Sequence, residues 1–134
     1  MTLTIASTCL TLIVVDAARA APAEACGILF GTASRICRAV PALNVAAEPL
    51  RAFEIEPAAL FAAHRLARGC GEQVVGWYHS HPNGVGTPSR ADACGASEDG
   101  RLWLIAAAGT VTAWVARPGG PVHGRFEPVA LVAA

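Results

Sequence analysis

The 134-residue chain has a formal net charge of zero, with 54% hydrophobic residues and 15% charged ones. That balance excludes a disordered tail, which combines few apolar residues with high charge. It also excludes nucleic acid as an expected partner, because no basic field is present to attract phosphates.

Met1–Ala6 alternates loosely and predicts a short strand. Ser7 or Thr8 then suits the cap of a helix with a stripe at Leu10, Ile13, Val14 and Ala17, spaced i, i+3, i+4 and i+7. Ala21-Pro22-Ala23 ends it. This run, LTIASTCLTLIVV followed by ARA at 18–20, has the outline of a signal peptide. No Lys or Arg precedes it, however, Asp16 interrupts its far end, and it is too short to span a bilayer. A cytoplasmic protein that does not cross a membrane is therefore expected.

EACGILFG at 24–31 predicts a strand with Glu24, Cys26, Ile28 and Phe30 on one face. RICRAVPALNV at 35–45 predicts the next strand, with Pro41 marking a bulge or an edge and GTAS as the hairpin turn. FEIEPAALFAAHRLARG holds a second helix. Pro57 fits its first turn, Ala59, Ala62, Ala63 and Leu66 its inward stripe, and Gly69 its C-terminal cap. Gln73–His81 predicts a strand in which Val75, Trp77, His79 and His81 share a face. TPSRADACGAS is a loop entering a short helix. RLWLIAAA, VTAWVAR and HGRFEPVALV are closing strands, separated by turns at Gly109 and at Pro118-Gly119-Gly120. Trp103 and Trp114 fall in these strands and are assigned to packing.

No repeat, linker or boundary interrupts the chain, so residues 1–134 form one domain. The order of elements implies a mixed α/β sheet with helices packed on it. The five cysteines, Cys9, Cys26, Cys37, Cys70 and Cys94, are odd in number and contain no C-x-x-C pair. That pattern argues against a disulfide framework or a cysteine-rich zinc site and for reduced, mostly buried thiols.

The chemistry concentrates in VVGWYHSHPNGVGTPSRAD at 74–92. His79 and His81 project the same way from a strand end anchored by an apolar lead-in, and neutral imidazole nitrogen suits zinc. Asp92 is the nearest carboxylate beyond a loop that Gly84, Gly86 and Pro88 allow to turn back. Two histidines, one aspartate and a fourth position open to water make the layout of a catalytic zinc. Each piece alone is weak: H-x-H recurs by chance, and Ser89 with Asp92 also fits the helix-capping pattern S-x-x-D. His64 and His123 have nothing near them in sequence that completes a site. Cys94, two residues past Asp92, is read as an accidental neighbour.

The conjunction is specific. His79-Ser80-His81-Pro82, six residues, then Ser89-Arg90-Ala91-Asp92, with Glu24 upstream in EACGILFG, resembles the JAMM, or MPN-type, zinc metallopeptidase family. The likeness is to its small bacterial members, which process sulfur-carrier proteins. The resemblance implies a mixed central β-sheet flanked by two main helices, in the cytidine-deaminase-like JAMM (MPN) fold. It implies one zinc on His79, His81 and Asp92, Glu24 as general base, and Ser89 as a hydrogen-bond donor to the oxyanion. Ser80 points to the opposite strand face and receives no ligand role.

The implied activity is hydrolysis of a peptide or isopeptide bond at the C-terminal tail of a ubiquitin-like or sulfur-carrier protein. Such a flexible tail would add as a strand to an exposed sheet edge. Formation of a homodimer is left open. Two other readings compete. A zinc nucleobase deaminase needs H-x-E and P-C-x-x-C, both absent here. A non-catalytic MPN-type scaffold or protein-binding domain should lack Glu24, a histidine or Asp92, and all are present.

Overall fold

The computed structural model describes residues 1–97 and 99–134. Its elements, in chain order, are β1 (Thr2–Ile5), α1 (Ser7–Ala20), β2 (Cys26–Thr32), β3 (Arg35–Ala42), α2 (Pro57–Cys70), β4 (Gln73–Ser80), α3 (Arg90–Gly95), β5 (Leu102–Ala107), β6 (Thr110–Gly120) and β7 (Gly124–Ala133). The strands hydrogen-bond in the order β1-β3-β2-β4-β5-β6-β7, and β1 pairs with β7 to close the sheet into a barrel. The β1–β3, β1–β7 and β4–β5 pairs are parallel, and the others are antiparallel. Among the described residues, closure leaves β3 beyond Ile36 without a strand on its β1 side. β7 before Ala130 likewise lacks a β1 partner, so the unpaired strand edges lie on β3 and β7.

Alternation along the strands divides the interior. Leu29, Tyr78 and Leu104 pack with Leu3, Ile5 and Ile13 beneath α1. Their neighbours Ile28, Phe30 and Val74 pack with Ala63 and Ala67 of α2, while Trp103 and Ile105 join Trp114 and Phe126. The central strands β2, β4 and β5 thus carry buried side chains on both faces, as strands flanked on both sides do. Gly27 and Gly76 are needed at the tightest approaches. A Cβ on Gly27 would overlap the Tyr78 ring, and one on Gly76 would overlap the Leu102 carbonyl, where β4 and β5 begin to pair.

Several expectations are corrected by packing. The α1 cap is Ala6, with no side-chain bond, and the buried face centres on Cys9, Ile13 and Asp16. Asp16 is tolerated there because the Tyr78 hydroxyl donates to it at 2.6 Å and Arg19 at 2.7 Å. In α2, Pro57 opens the helix as expected, but Ala63 and Ala67 are buried while Leu66 is exposed. The helix rests on the sheet through its small residues, which permit close approach. Its cap is Gly71, at φ +71°, rather than Gly69. In β4, Val75 is a bulge: Leu29 pairs with Gly76 and Phe30 with Val74. Val75 consequently packs towards α1, away from Trp77 and His79. Pro118 and Gly119 lie within β6 rather than in a turn. Of the cysteines, Cys9 and Cys26 are buried, but Cys37, Cys70 and Cys94 are exposed, so the thiols are not mostly buried. None of the described helices is long and apolar enough to cross a membrane.

Candidate functional site

Strand β4 ends at Ser80, and its parallel pairing with β5 requires a crossover, which runs through the 82–89 loop and α3. The site lies where the chain leaves the sheet. His79 has no exposed surface; its ring stacks on Phe53 with centroids 4.2 Å apart and meets the edge of Trp103 at 5.7 Å. His81 follows the strand, and its Nδ1 lies 2.7 Å from the Val85 carbonyl oxygen. A carbonyl only accepts, so Nδ1 carries the proton and Nε2 of the neutral ring presents a lone pair.

Asp92 is the third residue of α3. The Ser89 hydroxyl accepts its backbone N–H at 3.0 Å, and the Ser89 N–H donates to its Oδ2 at 2.9 Å. This reciprocal cap is the S-x-x-D pattern of the sequence, and it orients the carboxylate towards the two rings. His79 Nε2 and His81 Nε2 are 3.0 Å apart, and Asp92 Oδ2 is 3.2 and 3.1 Å from them. Ligands at zinc–nitrogen and zinc–oxygen distances around a tetrahedral ion lie about 3.3 Å from one another. Three electron-pair donors converging at this spacing fit a divalent cation.

Glu24 stands beside them. It precedes β2 by two residues, is 6% exposed, and its Oε1 has no hydrogen-bond partner among the described residues. Donor atoms of Glu24, His79 and His81 all lie within 4.8 Å of one another. Burial pushes the Glu24 carboxyl up to about 7, with a smaller upward push from Asp92 and a downward one from His81. For Asp92, burial acts upwards, but hydrogen bonds from both imidazoles and Ser89 outweigh it and hold the carboxyl far below its usual range. Burial lowers His79, which favours the neutral, ligand-competent ring.

Two residues to which the sequence reading gave no role hold Glu24 in place. The Ser80 hydroxyl accepts the Ala25 N–H at 2.8 Å on the face opposite the histidines. Asn44 donates through Nδ2 to the carbonyls of Glu24 and Ala52, both at 3.0 Å, and its Oδ1 accepts from Ala46 and Glu54. The signal for Ser80 was a small polar residue on the buried face of an apolar strand. Asn44 has no local signature, since its partners come from three separate segments. His123 is likewise no ligand: its Nε2 donates to the Pro88 carbonyl at 3.0 Å, and Thr112 Oγ1 donates to the Gly86 carbonyl at 2.6 Å. Together they pin the loop between His81 and Ser89. Cavities of about 310 and 380 Å³ open on the two sides of the cluster.

The family model described as prokaryotic homologs of the JAB domain matches residues 7–117. The desampylase of Haloferax volcanii is 41% identical over 86 residues, covering 63% of this chain and 62% of that protein. The probable TtuB-protein conjugate cleaving protease of Thermus thermophilus is 36% identical over 74 residues, covering 55% and 49%. The chain therefore spans less than two thirds of the length of either relative. A solved protein of Desulfitobacterium hafniense superposes with a TM-score of 0.83 over 99% of this chain and 93% of its own, at 22% identity, a likeness of fold.

Proposed function

The chain belongs to the family of prokaryotic homologs of the JAB domain, and on that premise we propose that it is a zinc-dependent metallopeptidase. The bond cleaved is a peptide or isopeptide bond at the C-terminal tail of a ubiquitin-like or sulfur-carrier protein. The names of the two relatives, a desampylase and a conjugate-cleaving protease, support this substrate class. One observation carries the reading: three ligand atoms of His79, His81 and Asp92 within 3.2 Å of one another, beside a buried glutamate with an unpartnered oxygen.

His79, His81 and Asp92 would hold the zinc. When bound, zinc supplies Lewis acidity that acidifies water and polarises the scissile carbonyl. Glu24 takes a proton from the attacking water and returns it to the leaving nitrogen, for which a carboxyl near 7 is well matched. Across the reaction the amide C–N bond breaks, a C–O bond to the water oxygen forms, and the nitrogen departs as an amine. The Ser89 hydroxyl accepts from Asp92 N, which leaves its own hydrogen free to donate to the developing oxyanion. Phe53 and Trp103 pack around His79, limiting its motion and the access of water.

The test is metal content of the purified protein, followed by hydrolysis of a tail-linked conjugate with and without chelator. Bound zinc and chelator-sensitive cleavage support the reading. A protein that binds zinc stoichiometrically yet cleaves no tail-linked substrate is instead a binding module built on the same fold.

A further inference from the structure

The two histidines of the cluster differ in what holds them. A metal-binding imidazole is ordinarily fixed by a hydrogen bond at its other nitrogen, which sets the plane of the ring. His81 has that bond, from Nδ1 to the Val85 carbonyl at 2.7 Å. His79 does not. Its Nε2 faces His81 and Asp92, while its Nδ1 is buried and has no partner among the described residues. Phe53 lies against this ring instead, stacked with centroids 4.2 Å apart and planes 19° apart. Trp103 makes a T-shaped contact with both rings, at 5.7 Å from His79 and 5.5 Å from Phe53. Phe53 belongs to no helix or strand, so its place depends on what holds the segment 44–54. Asn44 grips the residues on either side of it. Its Nδ2 donates to the Ala52 carbonyl at 3.0 Å, and its Oδ1 accepts the Glu54 N–H at 3.1 Å. The same Nδ2 donates to the Glu24 carbonyl at 3.0 Å, and the Glu24 N–H donates to the Pro49 carbonyl at 2.8 Å. Both backbone groups of Glu24 are thus bonded within the segment that carries Phe53.

We infer that Phe53 is a positioning residue for the metal: its ring takes the place of the outer hydrogen bond that His79 lacks, and Asn44 holds Phe53 and Glu24 in one frame. This deepens the zinc-dependent function proposed above and rests on it. Turning His79 about its Cβ–Cγ bond would drive the edge of the imidazole into the Phe53 face. The stack therefore fixes the direction of Nε2 before a metal arrives. Without a flat face beside it, the ring regains that rotation, and the cost of ordering it falls on metal binding. Phe53 also packs against the residues beneath α2 and those around Trp103, a filling role open to any large apolar side chain. Metal affinity separates the two roles, because filling alone does not orient His79.

The experiment measures the zinc Kd by competition with a chromophoric chelator, beside thermal unfolding of the same proteins free of metal. Phe53→Leu is expected to weaken zinc by about 10- to 100-fold, the scale of losing an outer partner of a ligand. Phe53→Tyr keeps a flat ring and should bind zinc much as the parent does. Val74→Ala removes bulk from the same apolar cluster, at the other end of β4 from His79. It should lower the Tm without loosening zinc. Asn44→Ala frees Phe53 and Glu24 together, so it should weaken zinc and lower kcat; should it not fold, the two Phe53 variants decide alone. Unchanged affinity in Phe53→Leu, a loss in Phe53→Tyr as large as in Phe53→Leu, or an equal loss in Val74→Ala overturns the positioning role and leaves the metallopeptidase standing. A parent protein that takes up no zinc overturns the zinc-dependent function, and this inference with it.

Discussion

Ser80 and Ala25 bond each other twice: the Ser80 hydroxyl accepts the Ala25 N–H at 2.8 Å, and Ser80 N donates to the Ala25 carbonyl at 3.0 Å. The residue between the two histidines is thus tied to the residue after the glutamate, across two strands far apart in the chain. Ser80→Ala leaves the Ala25 N–H buried without a partner, which costs about 1–3 kcal/mol. Urea unfolding should register that loss. Zinc content should stay near that of the parent protein while kcat falls, because Glu24 rather than a ligand is displaced.

Glu24→Gln is expected to retain zinc and lose turnover, measured by metal analysis and a conjugate-cleavage assay. An unchanged rate would remove Glu24 from the mechanism. The metal-free protein offers an independent check. Burial raises the folded carboxyl from 4.5 to about 7, so between those values the folded state binds more protons than the unfolded state. Stability contributed by this group is present below the unfolded value and is lost as pH rises through about 7. Glu24→Gln removes that dependence. The chelated variant should gain on its parent by roughly 1–3 kcal/mol at pH 8 and show little gain at pH 4.

His79→Ala, His81→Ala and Asp92→Ala should each abolish zinc binding. A ligand that binds only the folded state stabilises by mass action, roughly 2.7 kcal/mol at a hundredfold excess over Kd. Zinc should therefore raise the Tm of the parent and leave the Tm of these variants unmoved, whatever their activity. A zinc-dependent Tm in Asp92→Ala would mean that the aspartate is not a ligand.

Ser89→Ala separates capping from catalysis. The cap hydroxyl contributes about 1 kcal/mol to α3, but the Ser89 N–H still donates to Asp92 Oδ2 without the side chain. Metal binding should survive, with the rate lowered roughly 10²-fold or more, the scale of a lost oxyanion donor. A normal rate with only the stability loss would leave Ser89 a cap.

Thermal unfolding and turnover of Thr112→Val test the pinning of the 82–89 loop. The substitution deletes the hydroxyl that donates to Gly86 O at 2.6 Å and accepts from Trp114 Nε1 at 3.0 Å. Stability should fall by about 1–2 kcal/mol, with a rise in KM as the cavity beside Glu24 loses its fixed wall.

What was legible in the chain was governed by short range. The two-residue period of a strand puts His79 and His81 on one side of β4, and the i, i+3 reach of a helix start couples Ser89 to Asp92, so both pairs could be read without a fold. Pro57 at the head of α2 and the turns within GTAS and at Gly109 belong to the same local class, whereas Pro118-Gly119-Gly120 does not turn but extends β6. The misreadings came wherever a neighbour distant in sequence decided the outcome. Val75 left its expected face because β2 pairs across a bulge, and Leu66 stayed exposed because Ala63 and Ala67 let α2 sit closer to the sheet.

By itself the sequence determined the donor types, their spacing and the strand and helix ends that carry them, since these follow from backbone periodicity within a dozen residues. The tertiary structure alone decided that Glu24 reaches the histidines from 55 residues away, and that Asn44 and Ser80 fix it there. It also decided that β1 meets β7 across almost the full chain, Thr2 beside Ala130, to close the barrel. Strand pairing is a choice among many partners of similar local character. Only the summed burial of apolar side chains, with the backbone groups of each strand paired to its neighbours, selects one of them.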